Sequence, residues 1–327
     1  MNVYDEIAAN DRKTLIIMLA FPVALFIVLF LISALLAGFD VLPPLESSIA
    51  DNSVLNEGYE MTLKVFPWMV LVAFLWITYS YYKGGEMILN IANARPVDFE
   101  ENRELYRLVE NTAIMIGLPT PKIYLIEDES LNAFAIGRNP VTASIAVTEG
   151  LVKVLDKSEL QSVIAHELAH INNHDTRLML VIVAGIGCFI FFGQLLCRST
   201  FRSSRRSRSK SNAKGAMFII ALGITCLVFG YLIAPILRFA LSRRREYQAD
   251  ATAVRTTRDP EALIRALTKI AENPRVEVID ASPLAGNMCI ANPAELGFIS
   301  GLYSTHPPIE DRIATLNKLL VRGRAVY

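Results

Sequence analysis

The sequence predicts a mainly α-helical membrane protein with a small β-sheet, and three observations lead to that fold class. The chain is 53% hydrophobic with a formal net charge of zero, which is too apolar for an ordinary soluble domain. Its polar stretches carry helical periodicity and a few short strand-like segments. Four uncharged apolar runs are long enough to cross a bilayer as helices; they are residues 14–39, 65–82, 178–197 and 216–237.

Residues 1–83 are predicted to form an N-terminal transmembrane hairpin. The first run is too long for a cleavable signal, and no small-residue cleavage motif follows it. The loop between the two runs is acidic, whereas Arg12, Lys13 and Lys83 flank them on the other side. Basic residues stay on the cytoplasmic side, so both ends of the hairpin are expected in the cytoplasm.

Residues 84–177 are predicted to be the first part of the working domain. Helical periodicity covers residues 100–117 and ends on a glycine. Residues 122–127 and 143–147 are typical of short strands, and residues 131–137 are a candidate third strand.

The helix that follows is predicted to begin near Ser158, with Ser158 and Gln161 as its capping box. Its predicted apolar face consists of Leu160, Val163, Ile164, Leu168 and Ile171.

Residues 178–237 contain the second hydrophobic pair, joined by a serine-rich loop. That loop, residues 198–214, carries seven basic residues and is typical of a solvated or disordered tract. If both runs cross fully, the loop lies outside, against the positive-inside rule. The pair therefore spans, is re-entrant, or packs against the protein's own domain. We favour a loop that stays inside, because carrying seven cations across a membrane is disfavoured.

Residues 238–327 are predicted to be the second part of the working domain. Pro260 marks the start of a helix over residues 261–271. Residues 308–320 are predicted to form the last helix.

The motif that indicates chemistry is H-E-x-x-H at His166, Glu167 and His170. Residues four apart share a helix face, so the two imidazoles can bind one ion, and Glu167 can act on a water at that ion. His174 lies about 12 Å along the axis from His166, which is too far for zinc–nitrogen bonds of about 2 Å. We read His174 as a polar residue at the helix end.

The third ligand is predicted to be Glu246, in the segment REYQAD. Asp250 lies four residues on, on the same helix face, where a second carboxylate could hold an imidazole N–H. A solvated acidic face is the alternative reading of an isolated pair of this kind. The presence of H-E-x-x-H in the same chain favours the ligand interpretation.

The ordered set of motifs resembles the HtpX-type membrane zinc endopeptidases, a heat-shock protease family related to the CAAX prenyl endopeptidases. The set is HELAH, two apolar runs, EYQAD, then THPP and Arg312. The resemblance covers nearly the whole chain and implies a zincin-like, gluzincin metalloprotease domain. It also implies one Zn²⁺ per chain on His166, His170 and Glu246, with Glu167 as general base and acid and Asp250 orienting a ligand histidine.

The resemblance further implies how a substrate is bound. Asn132 and Ala133, in NAFAIG, would lie on an edge strand that pairs with the substrate backbone. His306 and Arg312 would approach the site and steady the oxyanion.

The function implied is cleavage of misfolded or selected membrane proteins at the bacterial inner membrane, by a multi-pass protein with a cytoplasmic active site. The expected partners are polypeptide substrates and the lipid bilayer, with self-cleavage in trans and no nucleic acid. Two alternatives are a site-specific prenyl-protein processing protease and a non-catalytic membrane scaffold with a structural zinc. Structural zinc sites have four ligands, usually cysteine-rich, and the predicted site lacks that pattern.

Overall fold

The computed structural model describes residues 3–38, 54–204, 219–228, 243–272 and 308–324. His306 and most of the basic loop lie outside these residues. The described helices are α1 (Val3–Gly38), α2 (Val54–Ile91), α3 (Arg103–Ile116), α4 (Glu149–Val154), α5 (Lys157–Asn172), α6 (Asp175–Ser204), α7 (Ile219–Val228), α8 (Arg243–Thr257), α9 (Pro260–Glu272) and α10 (Ile309–Arg324). The strands are β1 (Arg95–Pro96), β2 (Lys122–Ile126), β3 (Ala133–Ile136) and β4 (Ser144–Thr148).

The chain divides into two compact units. The polar unit comprises Met1–Lys13, Tyr81–Leu180 and Leu237–Tyr327. The apolar unit comprises Thr14–Ser80 and Val181–Ile236. Each pair of apolar runs therefore lies between two segments of the polar unit along the chain.

The apolar unit contains helices that suit a membrane. Within the described residues, three helices are long and apolar enough to cross one: Ile7–Ala34, Thr62–Ile91 and Asp175–Arg198. Large apolar side chains on them are exposed, including Leu19 at 66% and Trp68 at 70%. Exposed apolar faces of this extent mark a surface that contacts lipid or another apolar partner.

Trp76 joins α2 to α6 inside the apolar unit. Its ring stacks on Phe191 with centroids 4.6 Å apart, and its Nε1 donates to the Ala184 carbonyl at 3.1 Å. Trp76 is thus a packing residue, whereas Trp68 on the same helix is exposed.

The polar unit is built on a mixed sheet with strand order β1-β2-β4-β3. β2 and β4 pair in parallel, whereas β3 pairs antiparallel to β4 and β1 antiparallel to β2. The three predicted strands are confirmed, and among the described strands β3 is an outer one. Every residue of β3 and β4 is buried, because helices cover the sheet.

Local capping explains where α3 and α5 begin and end. Asn102 Oδ1 accepts the Leu105 N–H at 3.0 Å, and Gly117 ends α3 in the left-handed region at φ 84°. The helix predicted over residues 100–117 is confirmed, with a start at Arg103. The predicted cap of α5 is wrong: the capping box consists of Asp156 and Glu159.

The capping box of α5 both caps the start of the helix and connects it to α9. Asp156 Oδ1 accepts the N–H of Glu159, and Glu159 Oε2 accepts the N–H of Asp156, both at 2.9 Å. Glu159 is also buried and binds Arg265 Nε at 3.2 Å and Lys269 Nζ at 2.6 Å on α9. The predicted apolar face of α5 is buried throughout. The helix is therefore held between the sheet and α9, with little freedom to move.

Candidate metal centre and active site

Helices α5 and α8 bring three ligand-type side chains to one point. His166 and His170 lie one turn apart on α5, with their Nε2 atoms 3.2 Å apart. Glu246, in the first turn of α8, lies 3.6 Å from His166 Nε2 through Oε2 and 3.7 Å from His170 Nε2 through Oε1. All three side chains are buried, and their ligand atoms lie within 4.8 Å of one another. In the described part of the chain this is the group suited to hold a metal ion.

The group fits zinc by both chemistry and spacing. Imidazole nitrogen and carboxylate oxygen are typical zinc donors. Bonds of about 2 Å in a tetrahedral arrangement place donor atoms roughly 3.3 Å apart, close to the separations found here. Three protein ligands leave a fourth position open, which is the pattern of catalytic rather than structural zinc sites.

The ring of His166 is oriented by a buried ion pair. Its Nδ1 lies 2.9 Å from Asp250 Oδ1, so in the neutral ring a proton on Nδ1 leaves the Nε2 lone pair directed at the ligand group. Arg312, fully buried on α10, donates through Nε to Asp250 Oδ2 at 2.9 Å and through Nη2 to Oδ1 at 2.6 Å. This two-pronged contact fixes the carboxylate that holds the histidine.

These three charged groups shift one another's pKa values. Burial and the Arg312 charge lower the pKa of His166, but contacts with Asp250 and Glu246 outweigh them and raise it to about 9. Burial raises the pKa of Asp250, yet the Arg312 charge and the hydrogen bonds lower it to about 2. Burial lowers the pKa of Arg312, and the carboxylates, Asp250 first, raise it above its usual value. Asp250 and Arg312 are therefore both ionised at neutral pH.

The ring of His170 has its own carboxylate, which sequence reasoning missed. Asp175 Oδ2 lies 2.8 Å from His170 Nδ1. Asp175 Oδ1 accepts Asn10 Nδ2 at 2.9 Å, and the same amide donates to the Asn173 carbonyl at 2.9 Å. The signal for Asp175 was an acidic residue five positions after His170. Asn10 left no signal, because it lies more than 160 residues away in the chain.

His174 lies outside the ligand group. Its backbone is left-handed at φ 59°, where the chain turns from α5 into α6. Its Nδ1 lies 3.2 Å from Asp11 Oδ1, which also accepts Arg177 Nη1 at 3.1 Å. His174 thus belongs to a second contact between α1 and the end of α5.

Two of the remaining predicted residues lie next to the sheet edge. Asn132 and Ala133 are both buried, and Ala133 is the first residue of β3. The Asn132 carbonyl accepts the Thr148 N–H at 3.0 Å, and Asn132 Oδ1 accepts the Ala133 N–H at 2.9 Å.

Glu167 is 3% exposed on α5 beside His166. His306 lies outside the described residues, and its role stays a prediction.

Comparison with known proteins identifies the family of this chain. The profile of Peptidase family M48 matches residues 100–320, which include every predicted site residue. The chain belongs to peptidase family M48. It is 36% identical over 324 residues to a protein named Protease HtpX homolog from Bacteroides fragilis, covering 97% of this chain and 99% of that one.

Two further relatives carry the same name. Proteins named Protease HtpX homolog are 39% identical in Dictyoglomus thermophilum, over 97% of this chain and 94% of that one, and 41% identical in Dictyoglomus turgidum, over 76% and 82%. The crystal structure of S. mikatae Ste24p aligns with a TM-score of 0.48 at 18% identity, covering 95% of this chain and 66% of that chain. The resemblance to HtpX-type proteases is confirmed, and this M48 protein is a membrane metalloprotease that acts on polypeptides.

Proposed function

We propose that this M48 protein is a zinc endopeptidase of proteolytic quality control, which cleaves misfolded or selected membrane proteins. We place it in the bacterial inner membrane as a multi-pass protein with its active site in the cytoplasm. The observation that carries the proposal is the convergence of His166, His170 and Glu246 at one buried point, with Glu167 next to His166 on the same helix.

The chemistry assigns each side chain one task. A zinc ion bound by His166, His170 and Glu246 would act as a Lewis acid on the scissile carbonyl and lower the pKa of water. Glu167 accepts a proton from the attacking water and passes it to the leaving amine nitrogen. Asp250 contacts Nδ1 of His166 and Asp175 contacts Nδ1 of His170, and each contact directs Nε2 of that ring toward the ligand group.

Arg312 has a positioning role in this scheme. Its two shortest hydrogen bonds go to Asp250, which in turn contacts His166, and its Nη2 also lies 3.3 Å from His166 Nδ1. The expectation that Arg312 and His306 steady the oxyanion stays part of the proposal.

We propose that the substrate lies extended along β3, which must first be uncovered because every residue of this strand is buried. Alternate residues of an antiparallel strand bond to the same neighbour. The Thr148 to Asn132 hydrogen bond and the β3–β4 register direct the main-chain groups of Ala133 and Ala135 away from β4. The Ala133 N–H already donates to Asn132 Oδ1, so a peptide must displace that side chain or bond to the other main-chain groups. A peptide added there is held by main-chain hydrogen bonds, which read little of its sequence. Weak sequence preference suits an enzyme whose substrates are misfolded proteins without a common sequence motif.

Digestion of an unfolded protein by the full-length enzyme tests the function. Wild type should digest casein, a chelator should stop the reaction, and Glu167→Gln should be inactive while it keeps zinc. Glu104→Gln, an exposed glutamate on α3, is the matched control and should remain active. Zinc-loaded wild type that never digests casein would favour the scaffold alternative. A Glu167→Gln variant as active as wild type would refute the role of the base.

Self-cleavage in trans is tested with the same proteins. Purified Glu167→Gln should remain intact by itself and should be cut when active wild type is added. A Glu167→Gln chain that stays whole beside active wild type would contradict cleavage in trans.

The orientation is tested by labelling single cysteines in a background without the four natural ones. Glu104→Cys in the polar unit should resist a membrane-impermeant maleimide in intact cells and react after permeabilisation. Ser204→Cys, at the end of α6, should behave in the same way if the basic loop stays inside. Labelling of Glu104→Cys from outside would overturn the cytoplasmic site, whereas labelling of Ser204→Cys alone would establish a loop that crosses against the positive-inside rule.

A further inference from the structure

The polar unit contains a cavity of about 380 Å³ away from the zinc ligands. Its lining comes from α2, from the start of α6 and from the ends of three strands. The lining includes Tyr81, Tyr82, Glu86, Lys122, Arg138 and Leu180.

The cavity lies where two apolar runs join the polar unit. Tyr81 is the first residue of the polar unit after the α2 segment that ends at Ser80, and Leu180 is the last before the α6 segment that begins at Val181. These two helices approach closely here, since a Cβ added at Gly84 would lie 3.0 Å from Leu180 Cδ1. Both helices are candidate membrane spans, Thr62–Ile91 and Asp175–Arg198, and their lining residues lie near the end of the first and the start of the second. Tyrosine and basic side chains near the ends of spans are typical of the lipid headgroup level.

The wall of the cavity is cationic. The Arg138 guanidinium lies over the Tyr82 ring at 4.6 Å and near the Tyr81 ring at 5.7 Å, so its position is fixed by the aromatic pair. Lys122 adds a second cation at the start of β2. The wall also contains Glu86, but both of its carboxylate oxygens accept hydrogen bonds from Lys83 Nζ, at 3.1 and 2.9 Å.

The two wall cations are available to an outside anion. Among the described residues, neither Arg138 nor Lys122 lies within ion-pair distance of a carboxylate, although the Lys122 charge interacts electrostatically with Glu86 in the same wall. Arginine and lysine together suit a phosphate group, the first as a planar donor and the second as a point charge. Tyrosine rings beside them are typical of the membrane interface. Basic pockets between membrane helices on the cytoplasmic side bind anionic headgroups.

We propose that this cavity binds the phosphodiester headgroup of an anionic membrane phospholipid, with Arg138 and Lys122 contacting the phosphate. Arg138 lies two residues after the end of β3, so a bound headgroup also restrains the end of that strand. This last consequence rests on the proposed role of β3, whereas headgroup binding does not.

Native mass spectrometry of the full-length protein tests the proposal, in a Glu167→Gln background that limits self-cleavage. Delipidated protein in detergent is supplied with either phosphatidylglycerol or phosphatidylcholine, and retained lipids are counted. We expect preferential retention of phosphatidylglycerol and at least about a tenfold weaker retention in Arg138→Gln/Lys122→Gln, since each such cation contributes roughly a fivefold preference. The single variant Lys122→Gln, at an exposed position, should give an intermediate result.

Arg107→Gln is the matched control, because Arg107 also lies over an aromatic ring, at 5.4 Å from the Phe99 centroid, but outside the cavity. It should retain phosphatidylglycerol as wild type does. Zinc content and melting temperature establish that the double variant is folded. Equal retention of both lipids, or equal phosphatidylglycerol retention in the double variant and wild type, would overturn the proposal. Displacement of the lipid by inorganic phosphate at comparable concentration would assign the site to a free anion instead.

Discussion

The side-chain amide of Asn10 donates a hydrogen bond of 2.9 Å to Asp175, the carboxylate that contacts His170. A residue that precedes the first apolar run is therefore linked through one carboxylate to His170, a predicted zinc ligand. Asn10 also donates to the carbonyl of Asn173, where α5 ends, so it restrains both the carboxylate and the helix terminus.

This contact predicts graded effects on zinc affinity. Asp175→Asn should weaken zinc binding by about 10- to 100-fold, as expected for the partner of a ligand histidine, and Asn10→Ala should weaken it less. Competition with a chromophoric chelator measures both. Asp11→Asn is the control, because Asp11 contacts His174 and Arg177 instead. Wild-type zinc affinity in Asp175→Asn would contradict the assignment of this carboxylate.

Zinc stoichiometry distinguishes the two candidates for third ligand. Glu246→Ala should lose both zinc and proteolysis, whereas His174→Ala should keep both, because the His174 ring contacts Asp11 and lies outside the ligand group. Metal content per chain of the purified variants decides the matter. Zinc retained in the first variant and lost in the second would exchange the two assignments.

The Asp250–Arg312 pair predicts a strong dependence of stability on both partners. Arg312→Met should lower the free energy of unfolding by about 3–5 kcal/mol, because it leaves the Asp250 carboxylate buried without its cation. Arg312→Met/Asp250→Asn should cost less than the sum of the two single changes. Thermal unfolding of the Glu167→Gln protein and of these variants in that background measures the differences. Arg107→Met, at an exposed arginine, serves as control, and strictly additive losses would refute the coupling.

The capping box of α5 predicts a pH dependence. Hydrogen bonds, first from the Glu159 N–H and then from Ser158, hold the pKa of Asp156 below its usual value of 3.8. A carboxylate whose pKa is lowered on folding stabilises the protein above about pH 4 and loses that contribution as pH falls through the folded-state value. Asp156→Ala should therefore cost about 1 kcal/mol at neutral pH and progressively less in acid. Melting temperatures of wild type and variant across pH 3–7 check this, and a constant difference would contradict it.

Most of the fold could be predicted from local patterns in the sequence. Long uncharged runs indicated α1, α2 and α6, and β-rich segments between polar turns indicated β2, β3 and β4, because apolar burial and backbone propensity act over a few residues. The cap of α5 was the local error. Ser158 and Gln161 have suitable side chains, but Asp156 and Glu159 satisfy the same helix end two residues earlier.

The sequence by itself determined the chemistry of the candidate site, since H-E-x-x-H sets two imidazoles and a carboxylate on one helix by its spacing alone. Only the tertiary structure decided which side chains hold those imidazoles. Asp250 serves His166, Asp175 serves His170, and Asn10 and Arg312 fix those carboxylates from helices at opposite ends of the chain. The physical reason is that such hydrogen bonds depend on distances of about 3 Å between groups far apart in sequence, and packing rather than local spacing sets those distances.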